Sequence, residues 1–90
     1  MASLVRDNRA EQEFTLEVDG EVAVAAYQRE GGTIVFTHTV VPPRIEGRGV
    51  GSRLIRGALD AARDAGLKVV PQCPFVRTYI DRHPEYRDIL

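Results

Sequence analysis

A run of β-branched residues, a double proline, spaced glycines and an amphipathic helix follow one another in the middle of this chain. Residues 34–41 have the composition of a strand, and Pro42-Pro43 ends it. Glycines stand at positions 47, 49 and 51, where a helix over about residues 50–65 begins. Glycine permits a positive φ and a close approach of the backbone to a ligand. The first N–H groups of a helix lack partners inside it, and the helix dipole favours negative charge there. This order predicts a site for a phosphate or pyrophosphate group.

Three phosphate-binding motifs compete for this glycine-rich segment. A P-loop requires a lysine directly after its last glycine, and none is present. A dinucleotide fingerprint requires Gly-x-Gly-x-x-Gly, whereas the spacing here is Gly-x-Gly-x-Gly, and the chain is too short for a doubly wound sheet. The third motif is Arg/Gln-x-x-Gly-x-Gly/Ala between a strand and a helix, the acyl-CoA loop of the GNAT N-acetyltransferase superfamily. The segment Glu46-Gly47-Arg48-Gly49-Val50-Gly51 resembles it at both glycines and departs from it at Glu46, which we expect to face solvent.

Further segments extend this resemblance over roughly residues 13–90. Val41-Pro42-Pro43 resembles the Val-x-Pro that ends the central strand of these proteins. A small, single-domain GNAT-like family has Cys-Pro-Phe and His-Pro-Glu-Tyr segments, and this chain has Cys73-Pro74-Phe75 and His83-Pro84-Glu85-Tyr86. The resemblance implies acetyl-CoA as co-substrate, with the pantetheine paired to the backbone of Val40 and Val41. It also implies that the pyrophosphate is held by the N–H groups of Gly47, Arg48, Gly49, Val50, Gly51 and Ser52.

The hydrophobic periodicity predicts the order of the elements. Residues 13–18 alternate as a half-buried strand, Asp19-Gly20 is a hairpin signal, and residues 21–29 form the return strand. Residues 33–41 form a third strand with apolar side chains toward both faces, which predicts at least partial cover on both sides. After the helix come a short strand at 68–70 and a last helix at 75–82. The predicted fold is α/β (α+β): an antiparallel three-stranded meander, a β-α-β unit with a right-handed crossover, and a C-terminal helix. Residues 1–12 are expected to be a flexible polar lead-in to a single domain at 13–90.

The composition limits the classes of partner. The net charge is −1, with 43% hydrophobic and 28% charged residues, which does not suggest nucleic acid or an anionic membrane as a partner. No apolar run approaches the length of a membrane span or of a signal peptide. The single cysteine excludes an intrachain disulfide and is typical of a reducing compartment, so we expect a cytoplasmic protein. We expect a monomer or a weak homodimer.

Three side chains are candidates for chemistry. Cys73 follows the short strand near the expected thioester, where it would attack or orient the acetyl group; the alternative is a small buried hydrophobe. The resemblance implies that Tyr79 protonates the leaving sulfur; the alternative is a core tyrosine. His38 would act as the base for an amine, or would be a structural histidine of the strand. Two histidines and one cysteine at wide spacings form no metal pattern. Arg44 and Arg48 flank the glycines as phosphate ligands or as surface charges.

Two functions from different classes follow from these residues. The first is an acetyl-CoA-dependent N-acetyltransferase that transfers an acetyl group to an amine. The first two strands are joined by Asp19-Gly20 alone, whereas larger GNAT enzymes carry helices there that shape the acceptor site. An open site of this kind suits an amine on a protein or another macromolecule. The second is an acyl-CoA-binding sensor or adaptor without turnover. A plain interaction domain without a ligand is a third interpretation.

Overall fold

Five strands lie side by side in one sheet in the order in which they occur along the chain. The structure is a computed structural model and describes residues 4–90. The elements are β1 (Arg6–Asn8), β2 (Glu13–Val18), β3 (Glu21–Glu30), β4 (Thr33–Val40), a 3-10 turn (Pro43–Ile45), α1 (Val50–Asp64), β5 (Lys68–Pro71), α2 (Pro74–Arg82) and a 3-10 segment (Pro84–Ile89). Strands β1 to β4 are antiparallel, and β4 pairs with β5 in parallel. The predicted meander, β-α-β unit and last helix are confirmed.

The hairpin between β2 and β3 has the predicted turn. Asp19 has a φ of 50° and Gly20 a φ of 79°, so both central residues occupy the left-handed region that a type I′ turn needs. The turn matches the right-handed twist of the strands and pairs Val18 with Glu21. The register therefore places Phe14 and Leu16 of β2 on the same face as Ala23 and Ala25 of β3.

The N-terminal segment differs from the expected flexible lead-in. Residues 6–8 form β1, which pairs with β2 in the register of Arg6 with Thr15. Its Asp7 accepts a hydrogen bond from the Tyr27 hydroxyl at 2.5 Å. Val5 packs so closely on α1 that a Cβ at Gly57 would lie 2.6 Å from it. A three-residue polar strand carries no periodicity, and the free edge of β2 supplies the pairing, so sequence alone did not predict it. Residues 1–3 of the expected lead-in lie outside the described residues.

The core lies on one face of the sheet only. Phe14, Leu16, Ile34 and Phe36 are buried there against the apolar stripe of α1 and against α2, in a single cluster. The opposite side, which we call the open face, bears side chains that are exposed or half-buried: Thr15, Glu17, Val22, Val24, Ala26, Val35, His38, Val40 and Val70. The prediction that β4 is covered on both sides is therefore wrong. Within residues 4–90, no helix is long and apolar enough to span a bilayer.

A β-bulge in β4 reverses which side chains reach the core. Tyr27 pairs with Phe36, but the next residue of β3, Ala26, pairs with His38, so Thr37 is the extra residue. Before the bulge, Ile34 and Phe36 point inward; after it, Thr39 points inward toward Cys73, and His38 and Val40 point outward. Strict alternation along residues 33–41 predicts His38 and Val40 on the face of Phe36, and the bulge moves both to the opposite face. A bulge leaves no mark in a β-branched run, because either face accepts such residues.

Stability at alkaline pH depends on Tyr27. Its ring packs on Phe14 at 5.2 Å, and burial, with the hydrogen bond to Asp7, raises the pKa of Tyr27 to about 12. A raised folded-state pKa stabilises the protein below the unfolded value of about 10, and this contribution is lost as the pH rises toward 12. We expect Tyr27→Phe to lower the free energy of unfolding at pH 8 by about 1 kcal/mol. Between pH 10 and 12, the free energy of unfolding of the variant should fall less steeply with pH than that of the wild type. Urea unfolding at each pH measures both, and equal slopes for the two proteins would contradict the assignment.

Candidate functional site

The glycine segment shapes the start of α1. Gly47 and Gly49 have φ values of 79° and 73°, a conformation in which other residues are strained, and Gly49 is the N-cap of α1. No side chain among residues 4–90 caps this end, so the N–H groups of Val50, Gly51 and Ser52 lack the usual capping partners. They border a cleft of about 220 Å³, the loop cleft, lined by Val41, Ile45, Glu46, Gly47, Gly49, Val50, Gly51, Ser52 and Phe75. The arrangement is an uncapped helix N-terminus that opens onto a cavity, as an anion site requires.

The charged residues around the loop have partners on the β2–β3 hairpin. Arg48 donates to Asp19 Oδ2 at 2.6 Å, and Arg44 lies 3.6 Å from Glu21. Both ion pairs are largely exposed, where such pairs contribute little, so a phosphate would compete readily for either arginine. Glu46 is exposed at the rim of the loop cleft, as we expected. Phosphate binding by Arg44 and Arg48 stays a prediction.

A strand edge without a partner adjoins the loop cleft. The pairing of β4 with β5 ends at Phe36 and Pro71. One further backbone hydrogen bond follows, from the Cys73 N–H to the Phe36 carbonyl at 2.9 Å. The chain then turns into α2, and no strand among residues 4–90 pairs with the rest of β4 on that side. We call this gap between the end of β4 and α2 the slot.

The backbone groups that face the slot follow from the ladder. The Tyr27 N–H donates to Gln12 on the β2 side, so alternation directs the backbone of Val24 toward its partner Val40. The Val40 N–H and C=O are thereby engaged with β3. The backbones of Thr39 and Val41 face the slot instead. The sequence predicted that the backbones of Val40 and Val41 would hold a ligand. The register directs the backbone of Val41 to the slot but turns that of Val40 away, and Thr39 takes its place because the bulge shifts the alternation by one residue.

Cys73 lies at the N-cap of α2 on the core side of the slot. It is 3% exposed, and its Sγ shares a hydrogen bond of 3.3 Å with Thr39 Oγ1. The structure thus places Cys73 at the slot, while its contact with a thioester stays a prediction. It pairs the thiol with Thr39, a residue that sequence analysis missed. The sequence pattern could not indicate Thr39, because this residue turns inward only as a result of the bulge.

His38 does not meet Cys73. Its side chain leaves β4 on the open face, where Nδ1 lies 3.2 Å from Thr37 Oγ1, while Thr39 beside it points inward toward the thiol. A cysteine–histidine pair for nucleophilic catalysis is therefore not assembled. Within residues 4–90, no three His, Cys, Asp or Glu side chains are grouped as a metal ion would require.

Tyr79 belongs to a second cavity. It lies six residues after Cys73, about 9 Å along the helix axis. Its ring stacks on His83 at 4.0 Å, and burial raises the pKa of its hydroxyl. The residue is 7% exposed, and its hydroxyl has no hydrogen-bond partner among the described residues. It lines the helix cleft, a space of about 330 Å³ between α1 and α2 formed by Ser52, Pro74, Phe75, Thr78, Tyr79, Arg82 and His83.

Phe75 separates the two clefts and was missed as a site residue. Its ring is 42% exposed, lines both cavities, and lies directly on Gly51, where an added Cβ would be 2.5 Å from Phe75 Cζ. A larger residue at position 51 would therefore displace the Phe75 ring, which borders both the loop cleft and the helix cleft. Together these features define a small α/β protein with an uncapped helix N-terminus beside an open strand edge.

Comparison with known proteins identifies the family. Residues 13–89 match the family model described as GCN5-related N-acetyl-transferase. Protein NATD1 of Gallus gallus and Protein NATD1 of Homo sapiens are each 32% identical over 83 residues, which cover 89% of this chain and 76% and 74% of theirs. The solution structure of a GCN5-like protein from Staphylococcus aureus matches with a TM-score of 0.72 and 25% identity, over 94% of this chain and 86% of that one. The chain belongs to the GCN5-related N-acetyltransferase family.

Proposed function

We propose that this protein is an acetyl-CoA-dependent N-acetyltransferase that transfers the acetyl group to an amine. The observation that carries the proposal is the uncapped N-terminus of α1, which opens onto the loop cleft directly beside the unpaired edge of β4. An acyl-CoA has a pyrophosphate, which suits the N-terminus of α1, and an amide-bearing arm, which suits the unpaired edge of β4. The N–H groups of residues 50–52 hold the pyrophosphate. The backbone of Thr39 and Val41 pairs with the arm, and the nucleotide end lies beyond Phe75 along the helix cleft.

The protein contributes mainly position and polarisation to the reaction. The slot holds the thioester beside the acceptor, so the attack becomes effectively unimolecular. A backbone N–H at the slot donates to the thioester oxygen and stabilises the charge that develops there. The amine nitrogen forms the new bond to the carbonyl carbon and gives up one proton, and the carbon–sulfur bond breaks so that CoA leaves as a thiolate, which takes up a proton from water. His38 is the candidate base that receives the proton of the amine on the open face and passes it to water.

A second candidate function, acyl-CoA binding without turnover, is favoured by one observation. Tyr79 and His38 lie apart from Cys73, on the helix cleft and on the open face respectively. A protein with a complete ligand cleft and dispersed acid and base groups suits a sensor. Turnover with amines distinguishes the two functions, since both predict binding.

Binding is tested by thermal unfolding with acetyl-CoA, CoA and ATP. Ligand at about 100 times its dissociation constant adds about 2.7 kcal/mol, which raises the Tm of a domain of this size by roughly 10 °C. We expect this shift with both CoA species and none with ATP. The absence of a shift at millimolar acetyl-CoA would refute both candidate functions.

Cys73 separates two routes of transfer. Its burial beside Thr39 favours direct attack by the amine, because buried thiols in apolar surroundings are poor nucleophiles. We therefore expect Cys73→Ser to keep acetyl-CoA affinity and turnover within about threefold, since serine preserves the hydrogen bond, and Cys73→Ala to lose about 1 kcal/mol of stability without losing turnover. CoA release measures turnover, and intact mass after incubation with acetyl-CoA measures acylation. An acetyl adduct on the wild-type protein, with no turnover in either variant, would establish an acetyl-cysteine route instead.

A further inference from the structure

The open face exposes more apolar surface than a sheet facing only water needs. Val22, Val40 and Val70 are 46%, 54% and 40% exposed. The register places Val24 opposite Val40 and Val35 beside Val70, so the valines form two rows, one on each side of the row that contains Ala26 and His38. An antiparallel sheet with one solvated face normally carries polar side chains there. Several exposed apolar side chains on one face of a sheet indicate an interaction surface.

This surface is continuous with the slot. Thr39 lies at the slot, and the residues on either side of it, His38 and Val40, point to the open face. On the helix side of the slot, the side chains of Cys73, Val76 and Ile80 are buried in the core and block access from solvent. An acceptor that reaches a thioester in the slot therefore approaches across the open face.

The shape of the surface selects the kind of acceptor. Ligand pockets for small molecules enclose most of their ligand, whereas valines that are about half exposed form a shallow surface. A small amine would make few contacts here. A polypeptide segment would cover several valines at once, as its alternate side chains do in strand-like recognition.

The charge near His38 favours an acceptor that carries an amino group. The cross-strand register places Glu13 of β2, Ala26 of β3 and His38 of β4 in one row. Glu13 thus lies two strands from His38, about 10 Å away at the spacing of a sheet. A carboxylate at this distance attracts an ammonium group without pairing with the histidine.

We propose that the open face docks a protein acceptor, in which a lysine side chain or an N-terminal amine is flanked by apolar residues that pack on the valine rows. This inference rests on the proposed transferase function and names its substrate class. A second copy of the chain on the same face would cover the approach to the slot, so pairing through this face and transfer exclude each other.

Two blocked peptides of equal length test the proposal. One carries lysine between valines, Val-Val-Lys-Val-Val, and the other carries it between small polar residues, Gly-Ser-Lys-Ser-Gly. With acetyl-CoA saturating, we expect kcat/KM from CoA release to be at least about tenfold higher for the first. The double variant Val22→Gln, Val70→Gln should lower that value about tenfold and leave the polar peptide unchanged. Leu90→Gln, also an exposed apolar residue but at the C-terminus, is the matched control and should change neither.

The other outcomes are separable. Equal rates for the two peptides, or a double variant that matches the wild type, would overturn the docking proposal while leaving the transferase intact. Binding of acetyl-CoA without acetylation of either peptide would overturn it in favour of a sensor, and no binding of acetyl-CoA would remove both. A dimer in sedimentation that dissociates in the double variant would assign the face to a second copy. The Tm and acetyl-CoA affinity of the double variant should equal those of the wild type, because neither valine lies in the core or in a cleft that holds the ligand.

Discussion

Gly49→Glu is expected to abolish acetyl-CoA binding, with an affinity loss of at least about 100-fold. The residue is the N-cap of α1 and borders the loop cleft with a φ of 73°. A carboxylate at this position would add a negative charge beside the N–H groups that we propose to hold the pyrophosphate and would compete for these donors. Loss of two charge-assisted hydrogen bonds costs about 3–6 kcal/mol, which corresponds to the expected change in affinity. Isothermal titration with acetyl-CoA measures it.

Gly49→Asn is the matched control for backbone strain. Asparagine tolerates the left-handed conformation better than other residues with a Cβ, and it is neutral. Glutamate should cost about 1–2 kcal/mol of stability from its conformation, while asparagine should cost less and retain most of the binding. If the two variants bound equally, with affinities near that of the wild type, the helix N-terminus would not be the anion site.

Gly51→Ala is expected to destabilise the protein by about 1–3 kcal/mol, although alanine ordinarily stabilises a helix by about 1 kcal/mol relative to glycine. The reason is Phe75, whose Cζ would lie 2.5 Å from the new Cβ. The ring must move, and since it lines both the loop cleft and the helix cleft, acetyl-CoA affinity should fall as well. Urea unfolding and titration measure the two effects.

A double-mutant cycle isolates the contact between this glycine and the ring. In the background of Phe75→Leu, the smaller side chain leaves room for the methyl group, so Gly51→Ala should become neutral or stabilising. The expected coupling energy is about 1–3 kcal/mol. If the two substitutions were additive, Phe75 would not be the reason that position 51 is glycine.

The glycine loop, the hairpin and α1 could be predicted because each depends on neighbours in sequence. Asp19-Gly20 selects its own turn, and the stripe from Leu54 to Ala62 selects the face that α1 buries. Cys73 could be placed near the slot because it follows β5 directly. These are local patterns, and for them the period of the side chains carries the information.

The bulge at Thr37, the strand β1 and the contact of Phe75 with Gly51 could not be predicted in this way. Each depends on a partner distant in sequence: Ala26 for the bulge, the edge of β2 for β1, and α2 for the loop glycine. The bulge had the largest consequence, since one extra residue exchanged the faces of all later residues in β4. It moved His38 away from the core and brought Thr39 to Cys73.

By itself, the amino-acid sequence determined the order of the elements, the hairpin turn and the glycine-rich start of α1, because these follow from glycine conformations and from the spacing of apolar residues. Only the tertiary structure decided which candidate side chains share the slot, which lie in the helix cleft and which lie on the open face. The physical reason is that strand register and helix packing are set by contacts between segments. A shift of one residue in such a contact redirects every side chain that follows, without any change in local pattern.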